Sequence, residues 1–111
     1  MRKDELLRKY ELVVIVDAKL SAEEKKNIAK ESSDVVSKAG GKIINVQLWL
    51  EKHKFTFRIR KYDEGSYYLI SFENDGSMIE KIKAALKLNE KIIRFVIIQV
   101  ESAALAEAAV H

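Results

Sequence analysis

The chain has 111 residues, the usual size of one domain and enough to bury about two-thirds of its unfolded surface in a single core, and its 48% hydrophobic and 33% charged residues exclude a disordered or fibrous chain. Cysteine is absent and the histidines are His53 and His111, which excludes disulfides, thiolate catalysis, Cys-type zinc sites and histidine-pair chemistry. The net charge of +3 is too small to name a nucleic-acid partner, but it is unevenly spread: residues 42–61 hold six cations (Lys42, Lys52, Lys54, Arg58, Arg60, Lys61) against the single acid Glu51.

Residues 10–17 form a short β-branched run that predicts a first strand, with Leu12, Val14 and Val16 on one face and Val13 and Ile15 on the other. Ser21 followed by Glu24 is a capping-box signature, and Ile28, Ala29, Ser32, Val35, Val36 and Ala39 recur at helical spacing behind it. A helix over 22–39 is expected, stopped by Gly40 and Gly41. From residue 43 to 61 a long strand signal changes parity, with Ile44, Val46, Leu48 and Leu50 at even positions and Phe55, Phe57 and Ile59 at odd ones. Strand side chains have period two, so this change requires an extra residue, a bulge near 51–54. Asp63, Glu64 and Gly65 then predict the turn of a hairpin whose return strand is 66–73. Ser77 and Glu80 repeat the capping-box signature ahead of Ile79, Ile82 and Leu86, and residues 92–100 are the most β-prone stretch of the chain.

The order β-α-β-β-α-β predicts an α+β, ferredoxin-like sandwich, a four-stranded antiparallel sheet with both helices on one face. A single domain over 1–102 is expected, followed by an Ala-rich tail over 103–111. No apolar run approaches the ~18 residues of a membrane span, and the first residues lack the apolar stretch of a signal peptide, so a cytoplasmic protein without membrane contact is expected.

The second sheet face is left uncovered. If Ile93, Phe95 and Ile97 face the helices, Ile92, Arg94, Val96 and Ile98 join Val13 and Ile15 on an oily open side. Several aliphatic side chains left together in water suggest a protein contact, with cover by Lys and Arg stems or by the tail as the plainer reading. In Lys52, His53, Lys54, Arg58, Arg60 and Lys61 the cations share a stripe while Phe55, Phe57 and Ile59 are expected to pack inward. Such a stripe suits phosphate contacts, but basic charge on an edge strand also guards against edge-to-edge aggregation. Tyr62, beside Lys61, could stack on a base or simply cap the hairpin.

Residues 65–72 partly resemble the aromatic third strand of RNA recognition motifs. Glu64 stands where that motif wants a cation and Ser66 interrupts the aromatic spacing, which argues against a stacking platform. No nucleophile with its base, phosphate loop or metal cluster is present in the pattern. Glu23 and Glu24 suit a helix N-terminus, Asp63 and Glu64 suit a turn, and Trp49 is expected to pack at a sheet edge or under the bulge.

Three segments resemble the bacterial small ribosomal subunit protein six family: Arg8-Lys-Tyr-Glu11, Gly40-Gly-Lys-Ile43, and the run from Leu86 through Asn89 and Arg94 to Phe95. The likeness spans residues 8–102 and extends to the hairpin through Trp49, the basic stretch 52–54, residues 55–59, and Gly65 with Tyr67. There Leu50 and Arg58 stand where the family has glycine and proline, and one extra residue separates Trp49 from Phe55. The resemblance implies a ferredoxin-like fold without catalytic activity, cofactor, metal or small-molecule substrate. It implies incorporation into the small subunit, pairing with small ribosomal subunit protein eighteen, and joint binding to the central domain of small-subunit ribosomal RNA. By position it puts Arg8, Tyr10, Lys61, Tyr62 and Arg94 on the RNA side, beside the basic stripe Lys52, His53, Lys54, Arg58 and Arg60. Val13, Ile15, Val96 and Ile98 become the partner-facing residues. A small-molecule-sensing regulatory domain on the same fold is the alternative, since fold alone does not fix function.

Overall fold

In the computed structural model, which describes residues 7–100, the chain runs β1 (Leu7–Asp17), α1 (Ala22–Lys38), β2 (Lys42–Ile59), β3 (Tyr62–Asp75), α2 (Ile79–Lys87) and β4 (Ile92–Val100). The strands form one antiparallel sheet in the order β2-β3-β1-β4, the ferredoxin-like arrangement expected from the order of elements. Strict alternation in the central strands sets the two faces. Tyr10, Leu12, Val14 and Val16 from β1 and Tyr68, Ile70 and Phe72 from β3 are buried with Ile28, Ala29 and Val36 of α1 and Ile82 and Leu86 of α2. Among the described residues no helix is long and apolar enough to cross a membrane.

The first helix follows its local signals. Ser21 accepts from the Glu24 backbone N–H while the Glu24 carboxylate accepts from that of Ser21, so both halves of the capping box form. Ser32, on the apolar stripe, donates its hydroxyl to the Ile28 carbonyl at 2.9 Å and so is satisfied inside the core. Gly40 ends the helix at φ +85°, a left-handed conformation that side chains disfavour.

The second helix departs from its signal. Asp75, not Ser77, is the capping side chain: it accepts from the Ser77 N–H at 2.9 Å and starts a 3-10 turn, Gly76–Met78. Helix α2 begins only at Ile79, behind Met78, whose backbone is already helical and which makes no side-chain cap.

Three further corrections concern the strands. The hairpin reverses at Arg60 and Lys61, since Ile59 pairs with Tyr62, and Asp63, Glu64 and Gly65 continue in β3. Phe57 does not pack inward but is 83% exposed. In β4, Ile92 pairs with Val16 and joins the helix-side core, while a register shift between Ile15 and Val16 leaves Ile93 as the extra residue. The expected bulge near 51–54 is present as register shifts between Leu48, Leu50 and His53. There the buried Ser66 hydroxyl donates to the Glu51 carbonyl released from the ladder. The tail, 103–111, lies outside the described residues.

Candidate nucleic-acid and partner interface

The sequence-predicted cations do not gather in one place. Arg8 stands at the start of β1, opposite Asn74, where its charge helps the Ser77 backbone and side-chain donors hold the Asp75 carboxyl below its ordinary value. Arg94 pairs across from Ile15, seven residues further along β1, about 24 Å at normal strand rise. Tyr10 takes no surface position: it is 7% exposed and its ring stacks on Phe72 at 5.4 Å between centroids.

Within the hairpin, strand pairing neutralises part of the basic stripe. Arg58 Nε donates to Asp63 Oδ1 at 2.9 Å, and Lys52 Nζ lies 3.9 Å from Glu64 Oε2. His53 turns to the open sheet face, its ring 5.4 Å from that of Tyr67, where Trp49 and Phe55 also converge at 6.2 and 6.4 Å. Gly65 makes this convergence possible, since a Cβ there would stand 2.6 Å from Ile15 Cγ2 and 2.7 Å from Phe55 Cζ. Burial raises the Tyr67 phenol above its usual pKa, opposed by the positive charge of Arg94.

The two sides of the hairpin tip differ in charge. Lys61 places its ammonium 5.8 Å from the Tyr62 ring centroid, and both border a small depression shared with Asp17, Lys19, Asp63 and Glu64. On the other side Arg60 meets α2 and the start of β4 around a cavity of about 370 Å3. Its cations are Arg60, Lys83, Lys87 and Arg94, of which Lys83 also lies 3.6 Å from Glu80 Oε1; no acid lines it, and Leu86, Ile92 and Phe95 give it an apolar floor. Arg60 holds φ 57°, fitting the first central position of a primed hairpin turn, at a cost of about 1 kcal/mol for a side-chain-bearing residue. Sequence reasoning missed Lys83 and Lys87. Only their spacing of four on one face of α2 could have signalled them, and nothing in it places that face beside the hairpin tip.

The partner-facing candidates do share the open face. In β1–β4 register Val13 opposes Val96 and Glu11 opposes Ile98, with Leu69 and Ser71 beside them on β3. Val96 and Ile98 are 45% and 42% exposed, whereas Ile15 is buried near Phe55 and Gly65. On the helix side, Val46 and Leu48 of the edge strand β2 stay exposed because α1 does not cover them, and they floor a groove of about 650 Å3 rimmed by Lys25, Lys26 and Lys30.

The family model of ribosomal protein S6 matches residues 9–99, nearly the whole described chain. The chain belongs to the ribosomal protein S6 family. It is 33% identical over 104 residues to small ribosomal subunit protein bS6 of Geotalea daltonii, covering 94% of this chain and 80% of that one. The bS6 of Geobacter metallireducens is 30% identical, with 94% and 87% covered. Among solved structures, 30S ribosomal protein S6 from Thermotoga maritima superposes with a TM-score of 0.78 at 25% identity, covering 93% and 94% of the two chains. As an S6-family member the chain is a small-subunit ribosomal protein, a ribonucleoprotein component of cytoplasmic translation, and its relatives are ribosomal structural proteins.

Proposed function

We propose that this S6-family protein is a non-catalytic assembly component that pairs with small ribosomal subunit protein eighteen through its open sheet face and binds the central domain of small-subunit ribosomal RNA through the cationic side of its hairpin tip. The observation that carries the RNA reading is the convergence of Arg60, Arg94, Lys83 and Lys87 on one cavity with no acid in its lining. Phosphate contact needs positive charge in a fixed place without base readout, and Arg60, Lys87 and Arg94 from three parts of the chain supply it, with Lys83 shared with Glu80. Lys61 and Tyr62 have Asp17, Asp63 and Glu64 as neighbours, which makes their side of the tip the weaker phosphate site. The exposed pair Val96 and Ile98, continuous with Val13, supports the partner reading.

The test is calorimetric: the partner is titrated into the chain, then ribosomal RNA into the resulting pair at several salt concentrations. Replacing Arg60 and Arg94 by Gln should lower the magnitude of the logarithmic salt slope by about 1.4 to 1.8, at roughly 0.7 to 0.9 per lost phosphate contact, and leave the protein-protein step unchanged. Lys61→Gln alone should change it less than Arg60→Gln alone. An unaltered slope in the double variant would remove this cavity from the RNA side.

A further inference from the structure

The open face holds one group that its apolar surroundings do not explain. Glu11 lies on the central strand β1 between Tyr10 and Leu12, both in the helix-side core, so its side chain points to the opposite face. It opposes Ser71 on β3 and Ile98 on β4 and is only 7% exposed. Its Oε1 is buried with no hydrogen-bond partner, the one such side-chain atom among the described residues. Buried polar atoms are paired in the great majority of cases, and a carboxylate oxygen out of water without a donor is costly. The nearest cation along its own strand, Lys9, is on the same face but solvent-exposed, and no ion pair joins it to Glu11.

We infer that Glu11 is the receptor for a cationic side chain of the partner protein, delivered onto the open face between Val13, Val96 and Ile98. The inference rests on the pairing proposed above and names its chemistry. Val96 and Ile98 remain partly in water in the isolated chain, and a partner covering them would also exclude water from the carboxylate. A guanidinium or ammonium arriving there gains a charge-assisted hydrogen bond in a dry setting, while its methylene stem lies along the same aliphatic side chains. The apolar rim supplies association and the carboxylate fixes register, since a partner docked one residue out of place would leave the acid buried and unpaired. The segment 101–111 contains no Lys or Arg and cannot supply the cation by either. Arg2 and Lys3, upstream of the described residues, are the same-chain competitors.

The experiment uses the full chain and purified small ribosomal subunit protein eighteen, with Glu11→Gln, which keeps the shape and removes the charge, and Glu11→Leu, which removes the polar group. Both variants should bind the partner about 10- to 100-fold more weakly than the parent, the range expected for losing one charge-assisted bond. Both should melt, as isolated chains, at or above the parent's temperature. Parent chain that binds the partner while Glu11→Gln binds equally well would overturn the inference and leave the pairing standing. A parent that does not bind at all would remove the pairing, and the inference with it. A lowered melting temperature in Glu11→Gln would assign the cation to the chain itself, through Arg2, Lys3 or Lys9. Self-association of the parent that disappears in Glu11→Gln would assign it to a second copy. Either of those last two results also overturns the inference.

Discussion

The two halves of the β2–β3 hairpin are built on different physics. Before the bulge, Ile43, Val46 and Leu48 stand opposite the core residues Phe72, Ile70 and Tyr68 on the helix side, Ile43 packed against the core and Val46 and Leu48 left exposed at the sheet edge, and the register follows this apolar alternation. Beyond the bulge, the ladder is organised by Arg58 with Asp63, Lys52 with Glu64, and Phe55 laid over Gly65. One half encodes its structure as apolar alternation. The other encodes it as charge pairing and one missing side chain, and it leaves Phe57, Arg60 and Lys61 to solvent. A ribosomal protein benefits from the division, because the projecting half can present cations that a packed half could not keep hydrated.

The largest expected difference between the halves is between two phenylalanines of opposite burial. Phe72→Ala should destabilise the chain by about 3 to 5 kcal/mol in denaturant unfolding, the usual cost of deleting a core aromatic, since Phe72 is fully buried against Tyr10. Phe57→Ala should fall within about 0.5 kcal/mol of the parent. Comparable losses from both would show that the distal hairpin has a core of its own and that the comparison is wrong.

A smaller effect tests what holds the distal half together. Gly65→Ala sets a Cβ within 2.6 Å of Ile15 Cγ2 and 2.7 Å of Phe55 Cζ, and should cost about 1 to 3 kcal/mol, as overpacking does. Part of that cost should vanish in the background Phe55→Ala, with a coupling of at least about 0.5 kcal/mol in a double-mutant cycle. Strict additivity would mean that Phe55 does not rest on Gly65 in solution.

The same division explains what was legible in the sequence. Every element of the packed half could be read, because β1, β3 and α1 carry periods that match the face they bury, and the Ser21 and Glu24 signature formed as written. The identical signature at Ser77 and Glu80 failed because Asp75, two residues earlier, offers its carboxylate first and starts a 3-10 turn. At the hairpin tip, acidic and Gly residues at 63–65 imitate a turn, but Asp63 and Glu64 serve as ion-pair partners and Gly65 as a clearance. Of the three residues expected to pack inward, Phe55 rests on Gly65 and Tyr67 and Ile59 is half-buried, whereas Phe57 is left in solvent. The site was legible only in parts: Arg60 and Arg94 are separately visible as cations, but their meeting with Lys83 and Lys87 depends on where the hairpin tip lies against α2. Nor can a period-two pattern distinguish Glu11, an outward residue in a strand, from an ordinary solvated acid.

The smallest expected effect concerns the ion pair that best represents the distal half. Arg58 and Asp63 meet at 2.9 Å, but both side chains are about two-thirds exposed, so water and salt screen the pair. A double-mutant cycle with Arg58→Gln and Asp63→Asn should give a coupling of about 0.2 to 1 kcal/mol at low salt, shrinking as salt is added. The consequence for RNA should be more informative than the stability itself. Asp63 holds the Arg58 guanidinium, so Arg58→Gln should alter the salt slope of RNA binding less than Arg60→Gln, although the two cations are two residues apart on one hairpin. Asp63→Asn releases Arg58 and should steepen that slope, at unchanged partner affinity. Equal slopes for the two single Arg variants would mean that the ion pair does not persist in the complex, and that the whole tip acts as one undivided field of charge.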